Sequence, residues 1–208
     1  LLLGATEQDG YIENITLNRD LQGVQRDVAK LKFRYIGVEN LTLDVGFDYL
    51  KDDDQSTNAE ALANGGLNGF TLAPEPFVVA HNADEYERRE LQGTTIEAIY
   101  DTPQHFRWTS ITGIRTNEFS ELSEEDYSPL DVAFSVFDEK SDQLSQEFRL
   151  ASPKGERGDY VIGAYFLEQD ISTQRRAVTG AMFRSAPNAS VQTPATAEVQ
   201  STSLFVHG

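Results

Sequence analysis

From Ala29 to Tyr35 the odd positions Ala29, Leu31, Phe33 and Tyr35 are apolar, and Lys30, Lys32 and Arg34 between them are cationic. A period of two is the mark of a strand with one apolar and one wet face, because successive side chains point to opposite sides. Gly37 to Asn40 can supply a tight turn, after which Leu41, Leu43, Val45, Phe47 and Tyr49 alternate with Thr42, Asp44, Gly46 and Asp48. The two runs predict a hairpin whose polar faces bring Lys32 and Arg34 near Asp44 and Asp48. A second hairpin is predicted from Thr94, Ile96, Ala98 and Tyr100, a turn at Asp101 to His105, and Phe106, Trp108, Ser110, Thr112 and Ile114. Ile99 and Ile111 fall on its nominally polar face. A third uses Leu144, Gln146, Phe148 and Leu150, a turn at Pro153 to Gly158, and Tyr160, Ile162, Ala164 and Phe166. A last strand starts near Ala197; before residue 26 the pattern is weak, with a turn at Asp9-Gly10.

Polar stretches separate the hairpins. Lys51 to Glu87, Thr116 to Asp142 and Asp170 to about Thr196 are predicted as irregular connections, and the second holds nine acidic residues against Lys140 alone. Loops of this length are uncommon inside a compact domain. The rhythm of strand, short turn, strand and long loop, repeated three times, is that of a transmembrane β-barrel, with short periplasmic turns and long extracellular loops. The runs 26 to 36, 41 to 50 and 144 to 151 approach the roughly 9–11 tilted residues that cross a bilayer. Tyr35, Tyr49, Tyr100, Phe106, Trp108, Tyr160 and Phe166 lie near run ends. That placement suits an interfacial girdle, and equally the filling of an ordinary β core. A soluble β-sandwich also alternates apolar and polar residues.

The charge balance narrows the partners. Seventeen basic residues against 34 acidic ones give a net charge of -17 in 208 residues, with no basic stripe for nucleic acid. The absence of Cys removes disulfides and thiolate metal sites. No apolar run approaches the roughly 20 residues of a membrane helix; Phe77-Val78-Val79-Ala80 is short. A start at Leu1 without Met and an end just after the β-like Ser203-Leu204-Phe205-Val206 read as a piece of a longer polypeptide.

No constellation for bond-making chemistry emerges, so no catalytic residue, metal ligand or cofactor is expected, and no substrate-binding residue is singled out. His81, His105 and His207 are scattered, without a His-x-x-x-His spacing. Asp52-Asp53-Asp54 lacks the spacing of a calcium loop and reads as a solvated connection. Glu147 and Arg149 share a strand face and read as a lumen-facing ion pair. Asn14-Ile15-Thr16, Asn40-Leu41-Thr42 and Asn188-Ala189-Ser190 match the glycosylation sequon, which arises readily by chance. Neither a phosphate-cradling glycine loop nor a nucleophile elbow is present.

Leu144-Ser-Gln-Glu-Phe-Arg-Leu-Ala-Ser152 followed by Gly158-Asp-Tyr-Val-Ile-Gly-Ala-Tyr-Phe166 resembles a barrel-strand pair of TonB-dependent outer-membrane receptors. Asp9-Gly-Tyr-Ile-Glu-Asn14 and Phe106-Arg-Trp-Thr-Ser-Ile-Thr-Gly-Ile-Arg115 are similar in kind, with Ile114 where an aromatic is usual. The resemblance implies a segment of about seven strands from the middle of a roughly 22-stranded plugged barrel. The plug domain, the TonB box and the closing strand would lie outside this chain. It further implies the outer membrane of a Gram-negative bacterium, contacts with its lipid, and uptake of a scarce nutrient of the siderophore, cobalamin or oligosaccharide class. Energy would come from the TonB complex, engaged through parts not in this chain. Lys51 to Glu87 and Thr116 to Asp142 would be external loops, and Leu31, Phe33, Leu43, Phe47, Phe148 and Leu150 would face lipid from the convex side of a curved sheet. The alternatives are a soluble carbohydrate-binding β-sandwich and a passive porin.

Overall fold

The computed structural model describes residues 1–55, 76–155 and 158–208. Its elements are all strands: β1 Leu2–Gln8, β2 Ile12–Asn14, β3 Arg19–Leu21, β4 Val24–Val38, β5 Leu41–Asp54, β6 Val78–Val79, β7 Tyr86–Asp101, β8 Arg107–Glu124, β9 Ala133–Ala151, β10 Val161–Thr179 and β11 Ser190–His207. No helix of the described residues is long and apolar enough to cross a membrane. Eight strands form one sheet in the order β1-β4-β5-β7-β8-β9-β10-β11, and the short β3-β2-β6 form a second. Every pairing in the large sheet is antiparallel. The expected all-β antiparallel class is met, with one strand more in the main sheet than the seven read from the sequence. Among the described residues β1 and β11 are free edges and the sheet does not close on itself.

The short turns fall where the pattern put them. Asn40 takes a left-handed conformation (φ 63°) between β4 and β5, and His105 does the same (φ 64°) between β7 and β8, where the Thr102 N–H donates to the Phe106 carbonyl at 2.8 Å. The Ser152 N–H donates to the Tyr160 carbonyl at 2.9 Å and opens the third turn.

The long connections are corrected. Thr116 to Asp142 is mostly strand, since β8 runs to Glu124 and β9 begins at Ala133, leaving only 125–132 irregular. Asp170 to Thr196 likewise belongs to β10 and β11 apart from 180–189. Between Lys51 and Glu87, β5 continues to Asp54 and β7 starts at Tyr86; the centre of that stretch lies outside the described residues. The weak N-terminal region holds β1 and two strands of the small sheet, β2 and β3. At 19 residues, β9 and β10 are about 60 Å long, twice what a bilayer crossing needs.

Directly paired residues share a face, so the registers map both surfaces. One row runs Leu31–Phe47–Thr94–Ile114–Leu144, and two others run Tyr35–Leu43–Ala98–Ser110–Phe148–Ala164–Leu204 and Leu41–Tyr100–Trp108–Leu150–Ile162–Val206. Leu31, Phe33, Leu43, Phe47, Phe148 and Leu150 therefore stand together on one apolar face, and among the described residues nothing covers it: Phe33 is 59% exposed, Phe148 53% and Trp108 50%. The two-layer core of a soluble sandwich is absent from the described residues. The buried apolar core sits elsewhere, as Ile12, Leu21 and Val79 of the small sheet.

Candidate functional site

The long-loop end of the sheet is a chain of loops hooked to one another. β2 lies parallel to β6, with the Glu13 N–H donating to the Phe77 carbonyl (2.9 Å) and Ile15 to Val79 (3.0 Å), so the excursion between β1 and β4 holds the segment that precedes β7. That segment holds the β8–β9 turn in its own turn, through a buried polar cluster. The β8–β9 turn holds the β10–β11 turn, because Asp131 accepts the N–H groups of Met182 at its carbonyl and Ala181 at its carboxylate, both at 2.9 Å, and the Gly180 N–H donates to Val132 at 2.7 Å.

Glu124 is the centre of the buried cluster. It closes β8 with 1% exposure, and its two oxygens accept the N–H groups of Ala83 (2.9 Å), Glu125 (3.2 Å) and Asp126 (3.4 Å). The Asn82 amide nitrogen, assigned by its partners, adds a fourth bond at 2.8 Å and also reaches the Leu130 carbonyl. Burial pushes the Glu124 carboxyl up to about 7, and the Ala83 N–H pulls the other way. Beside it, His81 Nδ1 meets Glu85 Oε2 at 2.7 Å with both side chains 1% exposed, and Glu85 Oε1 accepts the Glu124 N–H at 3.3 Å. The Asn14 amide donates to the His81 carbonyl at 3.0 Å, while Arg19 donates to the Glu85 carbonyl at 3.3 Å and pairs with Asp84. Buried polar groups hold their place only when partnered, and here the partners come from three separate loops.

The face opposite the apolar one is a wall of ion pairs. Arg34 grips Asp44 with two bonds of 2.7 Å, Lys32 joins at 3.2 Å, Arg115 reaches over Gly93 to Asp48 at 3.4 Å, and Arg149 meets Glu147 at 2.5 Å. A Cβ on Gly93 would meet the Asp48 carboxylate at 2.4 Å, so the glycine keeps that path open. Further toward the loops, a cleft of about 650 Å³ lies along the row Asp52–Arg89–Phe119–Glu139–Thr173–Ala195 and the two rows beside it, Lys51–Glu90–Glu118–Lys140–Ser172–Thr196 and Arg88–Ser120–Asp138–Gln174–Pro194, whose side chains alternate to the opposite face.

His81 is buried in the loop cluster, whereas His105 and His207 are exposed and apart from it. Asp52, Asp53 and Asp54 belong to β5 instead of a solvated connection, and each is engaged: Asp52 with Arg26 at 2.5 Å, Asp53 with Arg88 at 3.0 Å, and Asp54 as acceptor for the Gln25 N–H at 3.1 Å. Lys32 and Arg34 reach Asp44 as expected, and Glu147 pairs with Arg149. Asn14 of the first sequon is fully buried and turned inward. Glu85 and Glu124 carried no signal of their joint role, because the contacts that tie the two loops, Glu85 with the Glu124 N–H and Glu124 with the Ala83 N–H, span 39 and 41 residues. The one hint was the short apolar run at Phe77, which is β6 and its flank.

No protein-family model, curated protein or solved structure matches this chain. The chemistry of the arrangement is therefore read from its geometry. The His81–Glu85 pair, with both side chains 1% exposed, joins loops, while the cleft near the loop end of the sheet is open to solvent.

Proposed function

We propose that the chain forms part of the wall and outer rim of a transmembrane β-barrel of the TonB-dependent receptor type, importing a scarce nutrient across the outer membrane. The observation that carries this reading is the slant of the apolar band. On the apolar face its upper limit on β1 is Ala5. The row of Ala5 runs through Asp27, Lys51, Glu90, Glu118, Lys140 and Ser172 to Thr196 of β11. On β11 the same face stays polar through Glu198, Gln200 and Thr202, and turns apolar only at Leu204, eight residues on (204 − 196). Eight residues of about 3.3 Å against seven strand spacings of about 4.8 Å give a slope near 38°. Strands of membrane barrels tilt by roughly 35–45°, so an apolar belt level with the bilayer crosses their registers at this angle.

The belt is also of suitable height. From the Tyr100 and Trp108 row to Tyr49, eight positions along the strand rise about 21 Å after tilting, close to the roughly 25 Å band of such barrels. The opposite face at that depth carries the ion-paired wall, as a water-lined lumen allows. The receptor type, as opposed to a passive pore, is supported by the Leu144-Ser-Gln-Glu-Phe-Arg-Leu and Gly158-Asp-Tyr-Val-Ile-Gly-Ala-Tyr-Phe166 segments, which pair as β9 and β10. The test is fractionation of cells making the full-length protein, followed by nutrient uptake with and without an uncoupler. Recovery in detergent-extracted outer membrane and uncoupler-sensitive uptake are expected. Recovery in the aqueous fraction would overturn the membrane reading, and uncoupler-insensitive uptake would overturn the receptor type.

A further inference from the structure

We infer that the face bearing the apolar belt carries a glycolipid site, in which acyl chains lie in the grooves around Tyr49 and a phosphorylated saccharide headgroup runs up the cleft that starts at Lys51. The inference rests on the membrane-barrel reading and adds a partner which that reading does not name. Three clefts on this face meet at one place. Two are apolar, of about 400 and 260 Å³: Leu3, Ala5, Ala29 and Tyr49 line the first, and Leu31, Phe47, Tyr49 and Thr94 the second. The third, of about 650 Å³, lies between the Lys51 row and the Arg88 row, whose side chains share the face of the belt, while the Asp52 row points the other way and supplies backbone between them. Tyr49 closes the belt on β5, and Lys51, two residues on, opens the large cleft about 7 Å further along the strand. An occupant of all three clefts is apolar at one end and polar at the other, and the place where they join is the upper edge of the belt, where bilayer headgroups begin.

The large cleft changes character along its length. At its lower end stand two cations. Arg88 Nε meets Asp53 at 3.0 Å, whereas Lys51 is exposed and makes no ion pair among the described residues, although Asp27 and Glu90 flank it in its row. An ammonium at the edge of an apolar belt is placed for the phosphate of a lipid headgroup. In the middle the carboxylates are engaged from within, Glu118 by Lys140 at 3.1 Å and Asp138 by the Ser120 hydroxyl at 2.7 Å. The upper end is uncharged, and Ser172, Gln174 and Thr196 offer both donors and acceptors to sugar hydroxyls. From β5 to β11 the cleft spans five strand spacings of about 4.8 Å, so at the slope of the belt it climbs about 15 Å away from the apolar edge. A glycerol or ethanolamine headgroup would fill only the lower end; a phosphate followed by a short chain of sugar rings matches the whole length.

The experiment uses the full-length protein in detergent and native mass spectrometry. It is titrated with lipopolysaccharide carrying its core sugars, and for contrast with phosphatidylglycerol, a neutral digalactosyl diacylglycerol and the deacylated lipopolysaccharide headgroup. Lipopolysaccharide should bind at least tenfold more tightly than each of the other three. Lys51→Glu should weaken it tenfold or more and Lys51→Arg should retain it, while Ser172→Trp, which fills the upper cleft, should weaken lipopolysaccharide tenfold and leave phosphatidylglycerol unchanged. Both positions are exposed, and heat-modified migration on gels checks that each variant is folded before titration. Equal binding of phosphatidylglycerol would mean unselective lipid contact, equal binding of the neutral glycolipid would remove the phosphate, and equal binding of the deacylated headgroup would remove the lipid; each overturns the site, as do absence of binding and indifference to either Lys51→Glu or Ser172→Trp. Recovery from the outer membrane is read separately by fractionation, so the glycolipid site can fail while the barrel reading stands.

Discussion

Glu124 gives the most quantitative handle on the loop collar. Its carboxyl has an ordinary value of 4.5 and is pushed up to about 7 by burial, so between those values the closed collar holds a proton that the opened one releases. The stabilisation is fully present below about 4.5 and is lost as pH rises through about 7. Between pH 5.5 and 8.5 the loss amounts to about 2 kcal/mol, or some thirtyfold in the opening equilibrium. Hydrogen exchange of peptides spanning 78–86 and 124–132, corrected for the intrinsic chemical rate, should show protection falling across that interval. His81, Glu85, Asp84, Asp126 and Arg19 face the same cluster, and Glu124→Gln separates their contribution: the slope due to Glu124 should vanish in it. Glu124→Ala strands the N–H groups of Ala83, Glu125 and Asp126 and should cost about 3 kcal/mol or more at any pH. Protection that rises with pH, or an equal slope in Glu124→Gln, would refute the reasoning.

Two further outcomes follow from the faces and the turns. Ile96 stands midway along the apolar belt, so Ile96→Arg should destabilise the barrel by about 2–4 kcal/mol, while Thr95→Arg, one residue along on the ion-paired face, should cost little; heat-modified migration on gels reads both. At Gly180 an added Cβ would lie 2.2 Å from the Asp131 carbonyl oxygen, so Gly180→Ala should unhook the β10–β11 turn and raise exchange at 180–189 while β10 and β11 below it stay protected.

The legible part of the fold was the part inside the apolar belt. There one face is apolar and the other wet, so Leu31, Phe33, Phe47 and Phe148 announced their strands by alternation. Beyond Leu144 toward the loops, β8 and β9 have water on both sides. Glu118 and Lys140 point one way, Asn117 and Glu139 the other, and with both faces polar the period of two disappears although the backbone ladder continues. The acidic run from Thr116 to Asp142 therefore read as a loop. The collar was illegible for a different reason: Asn14, His81, Glu85 and Glu124 become neighbours only through tertiary contacts. The ring pair of Phe119 and Phe137 was hidden too, since the two are 18 residues apart and meet only once β8 and β9 are in register.

Because the order of strands in the large sheet is their order along the chain, each strand of the meander pairs with the one made just before it. Loop closure within each of the tight hairpins is then a local event. The growing sheet keeps its β1 edge throughout while the other edge moves forward by a strand at a time, so each step newly exposes the backbone of only the strand just added.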